Sequence, residues 1–293
     1  MIVVDHVSKS FGDTKVIKDV SLEIQTGGVT CVIGPNGAGK STLLTMMARL
    51  SAPDTGTITV DGLDVQTTKS DQLSKRLAIL RQQNTVAVRL TVRELVEFGR
   101  FPYSQGRLTA EDKVHVDQSL DYLDLTDLQH RYLDQLSGGQ RQRAFVAMVL
   151  AQDTDVILLD EPLNNLDIKY SVAMMELARK AADELGKTIV IVIHDINFAA
   201  AYSDRILAMK DGEVVIHDTP SQVMRPAVLS SLYDMEMDVA EISGRSIAMY
   251  FRRGTGKHQA WHRAMPVWEP DSEFDAGPVH LGTPSPRGRC IGG

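Results

Sequence analysis

Two glycine-bearing stretches and two polar strand ends hold the side chains whose types and spacing could do chemistry. The first stretch is Gly34-Pro35-Asn36-Gly37-Ala38-Gly39-Lys40-Ser41-Thr42. It fits G-x-x-x-x-G-K-[ST] at every fixed position, the pattern of a loop that cradles phosphates. A triphosphate is a dense negative charge and needs many donors at close range. Glycines let backbone N–H groups curl around it without Cβ clashes. A helix that follows aims its positive N-terminal end at the same oxygens. Lys40 adds a point charge for the outer phosphates, and the Ser41 hydroxyl can ligate Mg²⁺. The plainer reading is a glycine turn before an ordinary helix. Context favours the phosphate loop: residues 29–33 are a β-rich apolar run, and Leu43, Leu44, Met46, Met47 and Leu50 recur at helical spacing. Strand, loop and helix therefore follow in the order the motif requires.

The second stretch, Leu136-Ser137-Gly138-Gly139-Gln140, again sets a glycine pair at the start of a helix, with Ala144, Ala147, Met148 and Ala151 as a small-residue face. A second anion site is implied. The polar strand ends are Asp160-Glu161, after apolar residues 156–159, and His194-Asp195, after apolar residues 188–193. Ligands of α/β proteins bind at the carboxyl ends of parallel strands. Taken singly, each has a bland alternative. His194 is then a core or surface histidine, Asp160-Glu161 a solvated strand end, and Phe11 a surface or packing aromatic. Gln82 alone carries no signal.

The elements that must position these residues can be read in outline. Ile2-Val3-Val4 and Val16-Ile17 read as short strands around a loop at residues 9–13, with its turn at Gly12-Asp13. Ser21-Leu22-Glu23-Ile24 alternates as a half-buried strand does, and residues 56–62 and 77–80 read as further strands, the last ending at Arg81-Gln82-Gln83. Thr91 with Glu94, and Thr109 with Asp112, form two capping boxes. Residues 83–135 then read as an all-helical insertion, which the helix after Ser137 carries on to 150. Residues 169–185 form a helix stopped by Gly186, and residues 206–209 and 213–216 pair across Lys210-Asp211-Gly212. Thr219-Pro220-Ser221-Gln222 reads as a capping box opening a late helix.

Composition bounds the class. The chain has 293 residues, 43% hydrophobic and 24% charged, which is ordinary for globular proteins. A net charge of −7 lacks the basic footprint of a nucleic-acid binder. Only Cys31 and Cys290 occur, and Cys31 falls in an expected buried strand, so a reducing cytosol is expected rather than a disulfide framework. The N-terminus has no signal-peptide pattern and no apolar run reaches spanning length, so any membrane role is expected to come through a partner. Residues 252–293 are rich in Pro, Gly and Ser, lack periodicity, and hold both Trp261 and Trp268. They are expected to be a disordered tail. His258 and His262 stand at helical spacing there, with no cysteine or carboxylate at matching spacing to complete a metal site.

The order of P-loop, Gln82, helical insertion, Leu136-Ser137-Gly138-Gly139-Gln140, Asp160-Glu161 and His194 resembles the nucleotide-binding subunit of an ATP-binding-cassette (ABC) transporter. The resemblance covers about residues 1–251, as one ABC ATPase domain with residues 83–150 inserted. It implies a P-loop α/β fold with a mostly parallel sheet, an N-terminal antiparallel β subdomain and an inserted helical subdomain. It also implies roles. Phe11 would stack on adenine, where the family more often has Tyr. Gly34, Pro35, Asn36, Gly37, Ala38, Gly39, Lys40, Ser41 and Thr42 would bind the phosphates of ATP. Ser41 and Asp160 would hold Mg²⁺, with Gln82 completing that shell or touching the attacking water. Glu161 would be the general base, and His194 would link the γ-phosphate to it. Ser137, Gly138, Gly139 and Gln140 would contact ATP bound by a second copy of the chain. Leu166-Asp167 would join the two sites, although Leu163-Asn164-Asn165 departs from the Ser/Thr-rich segment usual there.

Long coiled-coil insertions, paired cassettes and fused membrane helices are absent from the sequence, so a separate importer subunit is the closest resemblance. Within importers, Thr91-Val92-Arg93-Glu94-Leu95-Val96 with Gly99-Arg100-Phe101-Pro102-Tyr103 looks like the iron-siderophore and cobalamin branch. His194-Asp195-Ile196-Asn197 with Ala200, Tyr202, Ser203 and Asp204 looks like the same branch. Ferric siderophore is the expected cargo, with cobalamin or haem as alternatives. The expected partners are an integral-membrane permease, a second copy of the chain and, indirectly, an extracytoplasmic binding protein; no nucleic acid is expected. The expected location is the cytoplasmic face of the membrane. The contrasting reading is a soluble, non-transport ABC ATPase that remodels a protein or nucleic-acid partner.

Overall fold

The computed structural model describes residues 1–82, 88–164 and 166–250. Strands β1 (Ile2–Phe11) and β2 (Thr14–Ile24) form a hairpin, and β3 (Gly28–Ile33) leads into helix α1 (Lys40–Met47). Next come β4 (Thr55–Val60), β5 (Leu63–Asp64), α2 (Ser70–Leu73) and β6 (Leu77–Leu80). The described part of the insertion holds α3 (Val92–Phe98), α4 (Phe101–Ser104), α5 (Ala110–Tyr122) and two 3₁₀ turns, and leads into α6 (Gly138–Ala151). Then β7 (Val156–Asp160), α7 (Ile168–Leu185), β8 (Thr188–Val192) and α8 (Ile196–Tyr202) alternate. The rest is β9 (Arg205–Lys210), β10 (Glu213–Asp218), α9 (Pro220–Val223), α10 (Pro226–Tyr233), and a terminal hairpin of β11 (Asp238–Ile242) and β12 (Arg245–Met249).

The central sheet runs β10-β9-β3-β8-β7-β6. Its pairings are parallel except β9 with β10. Successive side chains of a strand point to opposite faces, and the core divides accordingly. Cys31, Ile157, Leu159, Ile189 and Ile191 join one cluster with residues of α3, α5, α6 and α7. Val32, Leu158, Val190, Val192 and Met209 join the other, with α1 and the antiparallel sheet β2-β1-β4-β5. Both faces of the central strands are covered, which is why these strands read as continuous apolar runs without alternation. Burial also pushes the Cys31 thiol up to about 12, so it behaves as a small core hydrophobe.

Both expected capping boxes of the insertion form: Thr91 Oγ1 accepts from the Glu94 N–H, Thr109 Oγ1 accepts from the Asp112 N–H, and each carboxylate reaches back. Val92, Leu95, Val96, Val116 and Leu120 are buried, as their spacing requires. Three expectations need correction. Residues 9–11 continue β1, because the two-residue turn at Gly12-Asp13 lets the ladder run to its tip, Phe11 facing Thr14. Leu50 does not share the buried face of α1: the helix ends at Met47, Arg49 turns to φ 60°, and Leu50 is 52% exposed. Thr219 starts α9 without capping it; its hydroxyl bonds the Ser221 hydroxyl instead, and the helix lasts one turn. The sequence pattern does not announce β5, α2, α8, α10 or the β11–β12 hairpin, which are short and partly exposed. The expected tail at 252–293, with Trp261, Trp268, His258 and His262, lies outside the described residues. So do Cys290, Gln83 and Asn165. Among the described residues, no helix is long and apolar enough to cross a membrane.

Candidate active site

Four adjacent parallel strands deliver the candidate residues side by side. In spatial order, β3 ends at the Gly34 loop, β8 at His194, β7 at Asp160-Glu161, and β6 at Gln82. The register keeps these ends level: Val32 faces Val192, Asp160 faces Val192, and Leu80 faces Leu159. This carboxyl edge is where an open α/β sheet binds ligands.

The loop after β3 curls back on itself, with the Ala38 N–H donating to the Pro35 carbonyl at 3.2 Å. Gly34 has φ 144°, and a Cβ there would stand 2.0 Å from the Met209 carbonyl oxygen, so only glycine fits between loop and β9. Lys40, only 6% exposed, donates from Nζ to the carbonyls of Gly34 at 2.8 Å and Pro35 at 2.9 Å. Burial pulls its ammonium below the ordinary lysine range, while the charges of Glu161 and Asp160 oppose the shift. Asn36 and Gly37 are exposed at the rim.

Ser41 Oγ donates to Asp160 Oδ1 at 2.8 Å, joining the first turn of α1 to the end of β7. Burial holds the Asp160 carboxyl above the usual range. The Ser41 hydrogen bond opposes this, the Glu161 charge adds to it, and the Arg81 and Lys40 charges oppose it. Glu161 turns to φ 48°, and its N–H donates to the Val192 carbonyl at 3.1 Å. Its carboxylate meets three side chains. Gln82 Nε2 donates to Oε2 at 2.7 Å, Asn164 Nδ2 donates to the same oxygen, and His194 Nε2 lies 2.9 Å from Oε1.

Ser137 caps α6: its hydroxyl accepts from the Gln140 N–H, and Gln140 Oε1 accepts from the Ser137 N–H at 3.0 Å. Ser137 and Gly138 are exposed, whereas Gly139 is buried against the Tyr170 ring, where an added Cβ would come within 2.6 Å. Among the described residues, no hydrogen bond joins residues 136–140 to the phosphate loop. The helix instead reaches the strand ends through Gln142, whose Nε2 donates to the Pro162 carbonyl at 3.2 Å. Phe11 is 55% exposed at the tip of the first hairpin, with Lys9 Nζ 5.5 Å from its ring centre.

Gln82, Lys40, Ser41, Asp160, Glu161 and His194 therefore meet at one edge; the segment 136–140 and Phe11 stand apart from them in bonding. The Asn164 and Gln142 contacts went unread in the sequence. Asn164 stands three residues after Glu161 across Pro162, a turn-forming spacing that could have suggested the first; nothing local announces the second. A buried cation, an oxygen pair and an oriented carboxylate can hold a polyphosphate and direct water at its terminal phosphorus. Among the described residues no cluster of three or more His, Cys, Asp or Glu could hold a metal by itself. The Ser41–Asp160 oxygen pair suits Mg²⁺ all the same, because that ion is usually held by one or two protein oxygens together with substrate phosphates.

The chain is similar to known proteins along most of the described residues. Residues 17–164 match the family described as ABC transporter. Petrobactin import ATP-binding protein YclP of Bacillus subtilis (strain 168) is 54% identical over 251 residues, covering 86% of this chain and 100% of that protein. Petrobactin import ATP-binding protein FatE of Bacillus anthracis is 54% identical over 250 residues, covering 85% and 100%. Among solved structures, the ATP-binding cassette MJ0796 in a dimeric post-hydrolysis state bound to ADP and Pi aligns with a TM-score of 0.66 at 33% identity, over 75% of this chain and 99% of that one.

Proposed function

This chain belongs to the ABC transporter ATP-binding family, and on that premise we propose that it is the ATP-hydrolysing subunit of a ferric-siderophore importer. One observation carries the catalytic part: the phosphate loop, Asp160-Glu161, His194 and Gln82 end four neighbouring strands at a single edge. In this reading residues 34–42 bind the phosphates of ATP, with Lys40 on the outer two and Phe11 against the adenine. Ser41, Asp160 and Gln82 would hold Mg²⁺, whose charge would neutralise the phosphate oxygens. Glu161 takes a proton from the attacking water and directs it in line with the γ-phosphorus; the bond to the leaving ADP oxygen breaks. His194, in contact with Glu161, keeps that carboxylate facing the γ-phosphate. Ser137, Gly138, Gly139 and Gln140 make no described hydrogen bond to their own phosphate loop. They serve ATP held by a second copy, in a closed head-to-tail pair that uses each surface twice.

The chain works at the cytoplasmic face of the membrane through integral-membrane permease subunits, and indirectly with an extracytoplasmic binding protein. Residues 1–251 act as one ATPase domain in which the helical insertion meets the permease. Phe98 and Phe101 are 54% and 58% exposed on that insertion, an aromatic display suited to an apolar partner. Siderophore as cargo rests on the petrobactin importers named above, which this chain spans over their whole length.

The test is purification of the tagged chain from membranes of its own cells, together with radio-iron uptake from ferric petrobactin in a strain lacking it. A co-purifying multispanning protein and an uptake defect restored by the intact gene are expected. Intact uptake with a soluble protein or nucleic acid as the co-purifying partner would replace this reading with the non-transport one.

A further inference from the structure

We propose that Asn164 is a positioning residue for Glu161, holding the carboxylate in its hydrolytic orientation from a turn gripped by α6. The inference rests on the reading of Glu161 as the general base. A carboxylate offers two acceptor positions on each oxygen. Gln82 and Asn164 both donate to Oε2 and fill it, while His194 takes one position on Oε1. The remaining position on Oε1, beside His194, is where a water can be accepted. The two amides thus select which oxygen faces the water.

The amides come from different sides. Gln82 ends β6, at the start of the insertion. Asn164 closes the turn begun by Glu161 itself, its N–H donating to the Glu161 carbonyl at 3.2 Å. The Gln142 side chain, projecting from α6, holds the Pro162 carbonyl in the middle of that turn. A shift of α6 therefore pulls on the turn and moves the Asn164 amide relative to the carboxylate. Packing does not explain the contact, because Asn164 is exposed. If Gln82 swings toward the nucleotide, Asn164 is the amide that still fixes Oε2.

Four variants of the full-length chain test this: Asn164→Ala, Asn164→Asp, Gln82→Ala, and Asn164→Ala with Gln82→Ala. Steady-state ATPase, ATP affinity and melting temperature are measured for each. Asn164→Ala should lower kcat about tenfold and leave ATP affinity and melting temperature near wild type, since the lost interaction orients the base and does not bind nucleotide. Asn164→Asp keeps the shape but faces Oε2 with an acceptor, so its kcat should fall further than that of the alanine variant. The double variant should lose more than the product of the single losses, because each amide covers for the other. Wild-type kcat in both Asn164 variants overturns the proposal, as does a loss that follows melting temperature or ATP affinity. Glu161→Gln separates the premise: if it still hydrolyses ATP, the reading of Glu161 as base has failed. If it is inactive while the Asn164 variants match wild type, only the present inference has failed.

Discussion

Lys40 Nζ is held by two carbonyl oxygens of its own loop. In the proposed reading it exchanges those partners for phosphate oxygens when ATP binds. Lys40→Ala should therefore weaken ATP binding and lower turnover by at least about a hundredfold; turnover within about threefold of wild type would count against the phosphate-loop assignment. Gly139 makes a sharper residue-scale case. Its Cβ position falls 2.6 Å from the Tyr170 ring, so Gly139→Ala should lower stability by about 1–3 kcal/mol through overpacking. Adding Tyr170→Ala should return part of that loss, and calorimetry of the single and double variants reads the coupling. At this scale the sequence was most informative where chemistry is written in consecutive residues. The phosphate loop and residues 136–140 are legible because their spacing is local. The three-way grip on Glu161 was only partly legible. Gln82 and His194 came from resemblance, and Asn164 and Gln142 reach their partners only once the Pro162 turn and α6 have packed.

Within the insertion, Arg100 and Asp112 form a buried ion pair at 2.9 Å, each side chain 4% exposed. Arg100 also donates to the Ala151 carbonyl at 2.8 Å and lies 4.0 Å from the Tyr103 ring centre, so it ties α4 to α5 and to the end of α6. Burial raises the Asp112 carboxyl, but the Thr109 N–H and hydroxyl and the Arg100 guanidinium outweigh it and hold it below the usual range. A depressed folded-state value stabilises above the unfolded one and loses that contribution as pH falls through the folded one. The stability advantage of wild type over Asp112→Asn should thus be full at neutral pH and shrink below about pH 4. An advantage unchanged down to pH 2 would contradict the role given to this pair. Because the pair fixes α4, residues 99–104 should present a constant face to the permease. Cysteines introduced there should crosslink to it, and crosslinks found only elsewhere would move the docking surface. The capping boxes made α3 and α5 legible, and Pro220 after Thr219 marked the start of α9; α4 and α8, of four and seven residues without such a box, have too little periodicity to read.

At the scale of the whole molecule, the two clusters on either face of one sheet bind the antiparallel strands and the insertion into Met1–Tyr250. Residues 252–293 lack a core-forming pattern in sequence, so removing them should leave ATPase activity and melting temperature unchanged; a large fall in melting temperature would give Trp261 or Trp268 a packing role. In the proposed reading residues 34–42 and 136–140 each offer donors to phosphate, and no described hydrogen bond brings them together within one chain. ATP bridging two chains would unite them, and hydrolysis would remove the γ-phosphate that forms the bridge. Glu161→Gln keeps the shape of the base and removes its proton-accepting charge, so ATP binding should persist while cleavage stops. The direct measurement is light scattering of this variant, alone and in the permease complex, with and without ATP. The variant should be a monomer that becomes a stable dimer on adding ATP, while wild type returns to monomer as ATP is consumed. ATP bound tightly to a variant whose cassettes stay apart, both alone and in the permease complex, would contradict it.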